Sequence, residues 1–123
     1  MTVDEFEKVA QEEFDALPAV VRDMIDNVHI VVEDAPNDDT LKKTGNPRGS
    51  ILLGLYEGVP LTRRGTSYGM YPVTPDKITL YKSNIEATAR TDGTVRKQIR
   101  DVLIHEIAHY YGLNEKEIRR AGF

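Results

Sequence analysis

Two of the three histidines in this chain, His105 and His109, lie four residues apart in the segment His-Glu-Ile-Ala-His. On a helix, side chains at positions i and i+4 share one face, about 6 Å apart at Cβ, so both imidazoles can bind one metal ion. Glu106 lies about 100° further round such a helix, where it can flank the ion without binding it. The spacing therefore predicts a metal site with a general base beside it.

The ligand types indicate which ion this site would bind. The chain contains no cysteine, so a metal must be held by imidazole and carboxylate groups, and these favour Zn²⁺. Zinc lowers the pKa of a bound water from about 15.7 toward about 7. Glu106 could then accept a proton from the zinc-activated water and pass it to the leaving amine of a peptide bond. The alternative is a helix that carries two histidines by chance and binds no metal.

A catalytic zinc site usually has three protein ligands, and the third is predicted to be Glu115. Gly112 permits a sharp turn after the histidine helix, and this turn can bring Glu115 back toward the ion. Glu115 also follows Asn114, so the pair fits the first turn of another helix without any metal. Three other side chains stay open as ligands or as supports of an imidazole: Asp101, Glu117 and His29.

Peptide hydrolysis would also need a donor for the oxyanion that develops in the transition state. The candidates are tyrosines and one arginine near the motif or in the long connection over residues 57–77: Tyr110, Tyr111, Tyr68, Tyr71 and Arg63. This connection is the only long segment available to shape a substrate cleft. A substrate peptide could also pair with an exposed edge of the sheet.

Hydrophobic periodicity predicts an α+β domain in which a small sheet of about three or four short strands packs against a buried histidine helix and further helices. A single domain is expected over residues 1–123. Thr2 and Glu5 fit a capping box, and Thr94 is predicted to cap the histidine helix. We predict a first helix that follows the Thr2 cap and carries apolar residues from 6 to 17. Further helices are predicted at 18–27, 84–90, 95–111 and 115–120, strands at 28–33, 51–56 and 78–81, and loops at 34–50 and 57–77.

Composition narrows the range of partners. The chain has 123 residues and a formal net charge of −4, and its basic residues form pairs rather than a stripe, which argues against nucleic acid as a partner. No apolar run approaches the roughly 20 residues needed to span a bilayer, and the polar N-terminal segment does not resemble a signal peptide. A cytoplasmic bacterial protein acting on a peptide or protein substrate is expected, with its oligomeric state open.

The segment from His105 to Glu115 resembles the extended zincin pattern H-E-x-x-H-x-x-G-x-x-[H/D]. It is most similar to that of the small bacterial zincin-like metallopeptidase family, and the similarity extends to residues 53–62 and 76–81. The resemblance implies a minimal zincin fold and zinc as cofactor. It implies His105, His109 and Glu115 as ligands and Glu106 as catalytic base. Members usually carry aspartate where this chain has Glu115, so the geometry of the third ligand differs.

Three other classes of function remain open at this point. One is a non-catalytic metal-binding or peptide-binding module that retains the zincin fold. Another is a metal-dependent enzyme that processes RNA, although the acidic net charge argues against it. The last is a structural domain without a metal. The retained Glu106 favours the hydrolytic enzyme, because a purely structural metal site has no need of a base.

Overall fold

Six helices and three strands lie in the part of the chain that this computed structural model describes, namely residues 1–25, 27–45, 51–58 and 75–120. The α+β class predicted from the sequence is confirmed, and none of the described helices is long and apolar enough to cross a membrane. In chain order the elements are α1 (Val3–Asp15), α2 (Ala19–Arg22), β1 (Val28–Glu33), α3 (Asp38–Lys43), β2 (Gly54–Glu57), β3 (Asp76–Tyr81), α4 (Lys82–Ala87), α5 (Asp92–Tyr110) and α6 (Glu115–Arg120).

The three described strands form one sheet in the order β1-β3-β2. β1 runs parallel to β3, with Ile30 opposite Ile78, while β2 runs antiparallel to β3, with Tyr56 opposite Ile78. Because side chains alternate across a strand, these three residues point to the same face of the sheet. Among the described strands β2 is therefore an edge, and its inner partner is the buried central strand.

Helix α5 packs against this face and closes the hydrophobic core. Ile99, Leu103 and Ile107 recur every four residues along α5, and all three are fully buried. Ile78 and Leu80 of β3 are equally buried, and so are Phe6 and Ala10 of α1. The core thus packs α5 against both the sheet and α1, which fixes the helix that carries the histidines.

Side-chain caps set the starts of two helices. The predicted capping of α1 is confirmed, since the Thr2 hydroxyl accepts from the backbone N–H of Glu5 at 3.1 Å. The prediction that Thr94 caps the histidine helix is wrong. Thr91 is the cap: its hydroxyl accepts from the Thr94 N–H at 3.2 Å, and the Thr94 hydroxyl accepts from the Thr91 N–H at 3.0 Å. Two threonines three residues apart form a reciprocal capping box, so α5 begins at Asp92.

Other boundaries differ from the sequence prediction. Helix α3 lies inside the segment predicted to be a loop, because the Asn37 side chain accepts from the Thr40 N–H at 2.7 Å and starts a helical turn. Helix α2 spans four residues only, β2 starts three residues later than predicted, and β3 starts two residues earlier. Strand β1 and helix α6 have the predicted bounds. Most of the predicted 57–77 connection lies outside the described residues.

The capping box of α5 gives a prediction about stability. Replacing Thr91 with alanine removes the acceptor for the Thr94 N–H, so the free energy of unfolding should fall by about 1 kcal/mol. Thr91→Ser keeps the hydroxyl and should retain most of that free energy. Urea denaturation of the three proteins measures the difference. Equal stability of the alanine variant and the wild type would show that this cap does not hold the helix.

Candidate metal centre

Strand β2 approaches α5 through an alternation of small and large residues. Gly54 and Tyr56 share the face of β2 that meets the helix, and Gly58, the residue after the strand, continues the same two-residue repeat. The four residue steps from Gly54 to Gly58 cover about 13 Å along a strand, and eight residue steps cover about 12 Å along a helix. The strand segment therefore has the same length as a ridge of α5 whose side chains recur every four residues. This ridge consists of Val102, Glu106 and Tyr110.

Contacts along this ridge require glycine at both ends of the strand segment. A Cβ on Gly54 would lie 2.6 Å from Val102 Cγ1 and 3.2 Å from the carbonyl oxygen of Thr79. A Cβ on Gly58 would lie 1.8 Å from the Tyr110 hydroxyl oxygen. Between them, the rings of Tyr56 and Tyr110 stack with centroids 4.0 Å apart. The helix and the edge strand are thus in close contact beside Glu106.

The two predicted imidazole ligands lie on the same side of α5. The ring centroids of His105 and His109 are 6.3 Å apart. Two imidazoles that share a zinc at about 2.0–2.1 Å per Zn–N bond in tetrahedral geometry have centroids about 5 Å apart. The two rings would need to approach each other by about 1 Å to bind one zinc ion. His109 is solvent-exposed, so its ring has room to turn. The arrangement fits a shared ion.

A backbone contact orients the first imidazole. His105 Nδ1 lies 2.8 Å from the carbonyl oxygen of Asp101, one turn earlier in α5. Because a carbonyl can only accept, Nδ1 carries the proton, and the lone pair of the neutral ring lies on Nε2. Histidines that bind metals usually donate their other ring N–H in this way. Asp101 thus supports the imidazole through its backbone, while its carboxylate lies 3.0 Å from Lys97 Nζ.

Glu106 sits half-buried between the helix and the edge strand. Burial raises the pKa of its carboxyl above the ordinary value. His109, a hydrogen bond from the backbone N–H of Tyr56, and His105 each act in the opposite direction, but burial outweighs them. The result is a carboxylate held in place by a strand amide and tuned toward a stronger base, which is the property a general base needs.

Helix α5 is less enclosed than predicted. The sequence predicts that its last two turns are buried all round, but His109 is exposed and Tyr110 is 48% exposed. His105 and Glu106 also line an open cleft. The histidine face is therefore reachable from solvent, as a catalytic site requires.

The third ligand stays a prediction. The side chain of Glu115 lies outside the described residues, and the described side chains include no group of three histidine or acidic residues that could hold an ion. Glu117 takes part in the cap of α6, where its carboxylate lies 3.4 Å from the Asn114 N–H. His29 is exposed on β1, and β3 separates that strand from β2. Neither Glu117 nor His29 therefore joins the imidazole pair in a group of three possible ligands among the described side chains.

A cluster of three tyrosines lies beside the imidazole pair. Tyr111 meets the ring of Tyr56 edge-on at 6.2 Å and that of Tyr110 at 5.2 Å, so both predicted oxyanion donors at the end of α5 belong to this cluster. The Tyr56 hydroxyl donates to Asp76 at 2.7 Å in the protein interior. The other candidate donors, Tyr68, Tyr71 and Arg63, lie outside the described residues.

Comparison with known proteins now assigns the chain to a family. A sequence model described as zincin-like metallopeptidase matches residues 25–122. The chain belongs to the zincin-like metallopeptidase family. The matched segment includes β2, the whole of α5 and α6, so it contains every residue predicted for the site. The family assignment predicted from the motif is thus confirmed, and the three-stranded α+β fold agrees with a minimal zincin-like domain.

A solved structure supports the same fold. A conserved hypothetical protein from Thermus thermophilus superposes with a TM-score of 0.55 over 89% of this chain and 94% of that chain, at 19% sequence identity. At this identity the likeness concerns the fold alone. Among curated proteins, none has a sequence that matches this chain.

Sequence reasoning missed the part that the edge strand plays in this zincin-like site. Tyr56 supplies the backbone N–H for Glu106 and the ring beneath Tyr110, yet the motif gives it no role. The alternation of glycine, tyrosine and glycine at positions 54, 56 and 58 was the available signal, because strand glycines often mark close approach of another element.

The close contact at Gly58 can be tested through stability. Gly58→Ala should displace the Tyr110 ring from its stack on Tyr56 and lower the free energy of unfolding by about 1 kcal/mol. Gly93→Ala is the matched control, since a Cβ there meets nothing within 4 Å. Thermal unfolding of both variants would measure this. A Gly58→Ala protein as stable as the Gly93→Ala protein would contradict the close packing.

The raised pKa of Glu106 predicts a pH-dependent stability. A carboxyl whose pKa is higher in the folded state opposes folding when charged. The penalty is absent below the unfolded pKa of about 4.3 and grows as the pH rises through the folded pKa. In metal-free protein, Glu106→Gln should therefore raise Tm at pH 7, and the two proteins should converge near pH 4. A variant less stable than wild type at pH 7 would contradict the desolvation of Glu106.

Proposed function

We propose that this protein is a zinc-dependent peptidase in which His105 and His109 hold the metal and Glu106 is the general base. The observation that carries the proposal is that α5 presents two accessible imidazoles and a restrained carboxylate on adjacent strips of its surface. Two imidazoles lie on a solvent-reachable side with ring centroids 6.3 Å apart, while the Glu106 carboxylate, on the adjacent strip of the helix, accepts a hydrogen bond from the edge strand. Family membership supports the reaction class, and the geometry supports the roles of these residues.

Zinc suits the donors that are present. The lone pair of His105 lies on Nε2, because Nδ1 donates to the Asp101 carbonyl. A neutral imidazole with that tautomer is the form that binds zinc. We further propose Glu115 as the third ligand, because Gly112, at φ 89°, reverses the chain after α5 and α6 starts three residues later. This would leave one coordination position open for substrate or water.

Different residues of the protein would then perform proton transfer, orientation of the base and substrate binding. When bound, zinc polarises the scissile carbonyl and acidifies the attacking water. Glu106 takes the proton from that water and later gives it to the leaving amine. The hydrogen bond from the Tyr56 N–H keeps the Glu106 carboxylate pointing to one place during both transfers. The edge of β2 offers backbone groups for pairing with an extended peptide, which would place a scissile bond beside Glu106.

Metal analysis tests the ligands. Wild-type protein loaded with zinc and dialysed should retain about one zinc per chain, as expected of a single site with two or three ligands. His105→Ala and His109→Ala should each lose most of it. His29→Ala is the matched control, since it removes the third histidine but should keep the metal. Zinc retained by both α5 variants, or lost with His29→Ala, would contradict the site.

Hydrolysis of a peptide library tests the role of Glu106. Glu106→Gln should keep its zinc and lower the rate of peptide cleavage by about 10²- to 10⁴-fold, the usual contribution of a general base. Chelation of the wild-type protein should abolish cleavage. A zinc-loaded wild type that cleaves no peptide would instead favour the non-catalytic metal-binding module. Cleavage that survives Glu106→Gln unchanged would remove Glu106 from the mechanism.

A further inference from the structure

A cleft of about 360 Å³ opens next to the imidazole pair, between the start of β2 and the middle of α5. It lies on the opposite side of Glu106 from the tyrosine cluster. His105 and Glu106 form one end of the cleft, so anything that enters it adjoins the candidate metal centre. The other residues that line it are Leu52, Leu53, Gly54, Gln98, Asp101 and Val102.

One wall of the cleft is a continuous helix face. Gln98, Asp101, Val102 and His105 recur at positions i, i+3, i+4 and i+7, the spacing of one face of a helix. This face continues to His109, one turn further. The helix that presents the metal ligands therefore also presents the wall of the cleft, and the two are held in fixed relation.

The other wall is fixed by hydrogen bonds outside the cleft. The Asn84 side-chain amide donates to the Leu52 carbonyl at 2.8 Å, and the Tyr81 N–H donates to the Leu53 carbonyl at 3.0 Å. Both partners belong to the end of β3 and the start of α4. Because the backbone is anchored there, the side chains of Leu52 and Leu53 form a wall that exists before any ligand binds.

The surface chemistry of the cleft selects among ligands. Leu52, Leu53 and Val102 provide an apolar lining, and two acidic residues, Asp101 and Glu106, also line the cleft. Asp101 is partly screened by Lys97 at 3.0 Å, but this pair is exposed and therefore weak. An apolar side chain would gain by leaving water on this lining, whereas an acidic side chain would lose its hydration there and would also face the Asp101 carboxylate, which a Glu106→Gln variant retains.

We propose that this cleft is the specificity subsite of the enzyme, taking an apolar side chain of the substrate residue next to the scissile bond and rejecting an acidic one. The inference rests on the proposed peptidase function for its biological meaning. The binding of an apolar side chain in a preformed subsite beside Glu106 can be measured independently of hydrolysis. The side chain belongs to the residue adjoining the cleaved bond because Glu106 lines the cleft and also transfers the proton to the leaving amine.

Two blocked pentapeptides that differ only at the central residue test the proposal, one with leucine and one with aspartate in an alanine background. Amide chemical shifts of the zinc-loaded Glu106→Gln protein report binding, and cleavage by zinc-loaded wild type reports turnover. The leucine peptide should shift the amides of Leu53, Gly54 and Val102, and the aspartate peptide should not. Cleavage of the leucine peptide should be at least about 10-fold faster, as hydrophobic pockets discriminate by roughly 10- to 200-fold.

Two tryptophan variants complete the design. Gln98→Trp, in both the wild-type and the Glu106→Gln proteins, places an indole in the cleft and should abolish the amide shifts and the preference for leucine. Arg100→Trp adds the same ring at an exposed position of α5 that does not line the cleft, and both effects should persist. Zinc content and thermal unfolding of each variant establish that it is folded and loaded.

The outcomes separate the two proposals. Binding of the leucine peptide at the cleft without any cleavage would overturn the peptidase and leave the subsite standing. Cleavage of both peptides at equal rates, unchanged by Gln98→Trp, would overturn the subsite and leave the peptidase standing. An absence of binding at the cleft together with an absence of cleavage would overturn both.

Discussion

The site depends on the close contact between the edge strand β2 and one ridge of helix α5. Glycines at the two ends of the strand segment let Val102 and Tyr110 approach the backbone, and Tyr56 fills the space between them. This contact places a strand N–H against Glu106 and confines its carboxylate. The histidines, on the adjacent strip of the helix, stay accessible. On this helix the proposed base and the two proposed ligands are thus separated by a rotation of less than half a turn.

This arrangement has an energetic cost that function explains. Partial burial of Glu106 disfavours its charged form, and the Tyr56 N–H compensates only in part. The two imidazoles are polar groups set apart from the apolar contacts of Ile99, Leu103 and Ile107 on the opposite face of the helix. Polar groups in such positions are typical of sites selected for chemistry rather than for stability.

Local patterns predicted much of the fold. The β-branched run at Val28–Glu33 predicts strand β1 with its observed bounds, and the five-residue motif places both histidines on one helix. Elsewhere, neighbouring residues fit a helix cap or a loop equally well, so the sequence does not decide where a helix starts. The sequence assigns Asn37 to a loop, although its side chain starts helix α3. It predicts Thr94 as the cap of α5, although Thr91 is the cap and Thr94 completes the capping box. Capping depends on which residue adopts an extended conformation, and composition alone does not reveal it.

Long-range features could not be predicted in the same way. The bond between Tyr56 and Glu106 joins residues about fifty positions apart, and it exists only because β2 lies in one register against α5. The cleft likewise combines Leu52 and Leu53 with a helix face from much later in the chain. The predicted third ligand, Glu115, would likewise depend on the direction of one side chain after the turn at Gly112. Such facts follow from packing rather than from periodicity.

A crystal structure of the zinc-loaded protein, with anomalous diffraction recorded at the zinc absorption edge, tests the central claim most directly. A single strong peak should lie about 2.0–2.1 Å from Nε2 of both His105 and His109. Nδ1 of His105 should remain bonded to the Asp101 carbonyl, and the carboxylate of Glu106 should stay outside the coordination sphere. Zinc bound through Nδ1 of His105, ligation by Glu106 itself, or a peak at His29 alone would contradict the account.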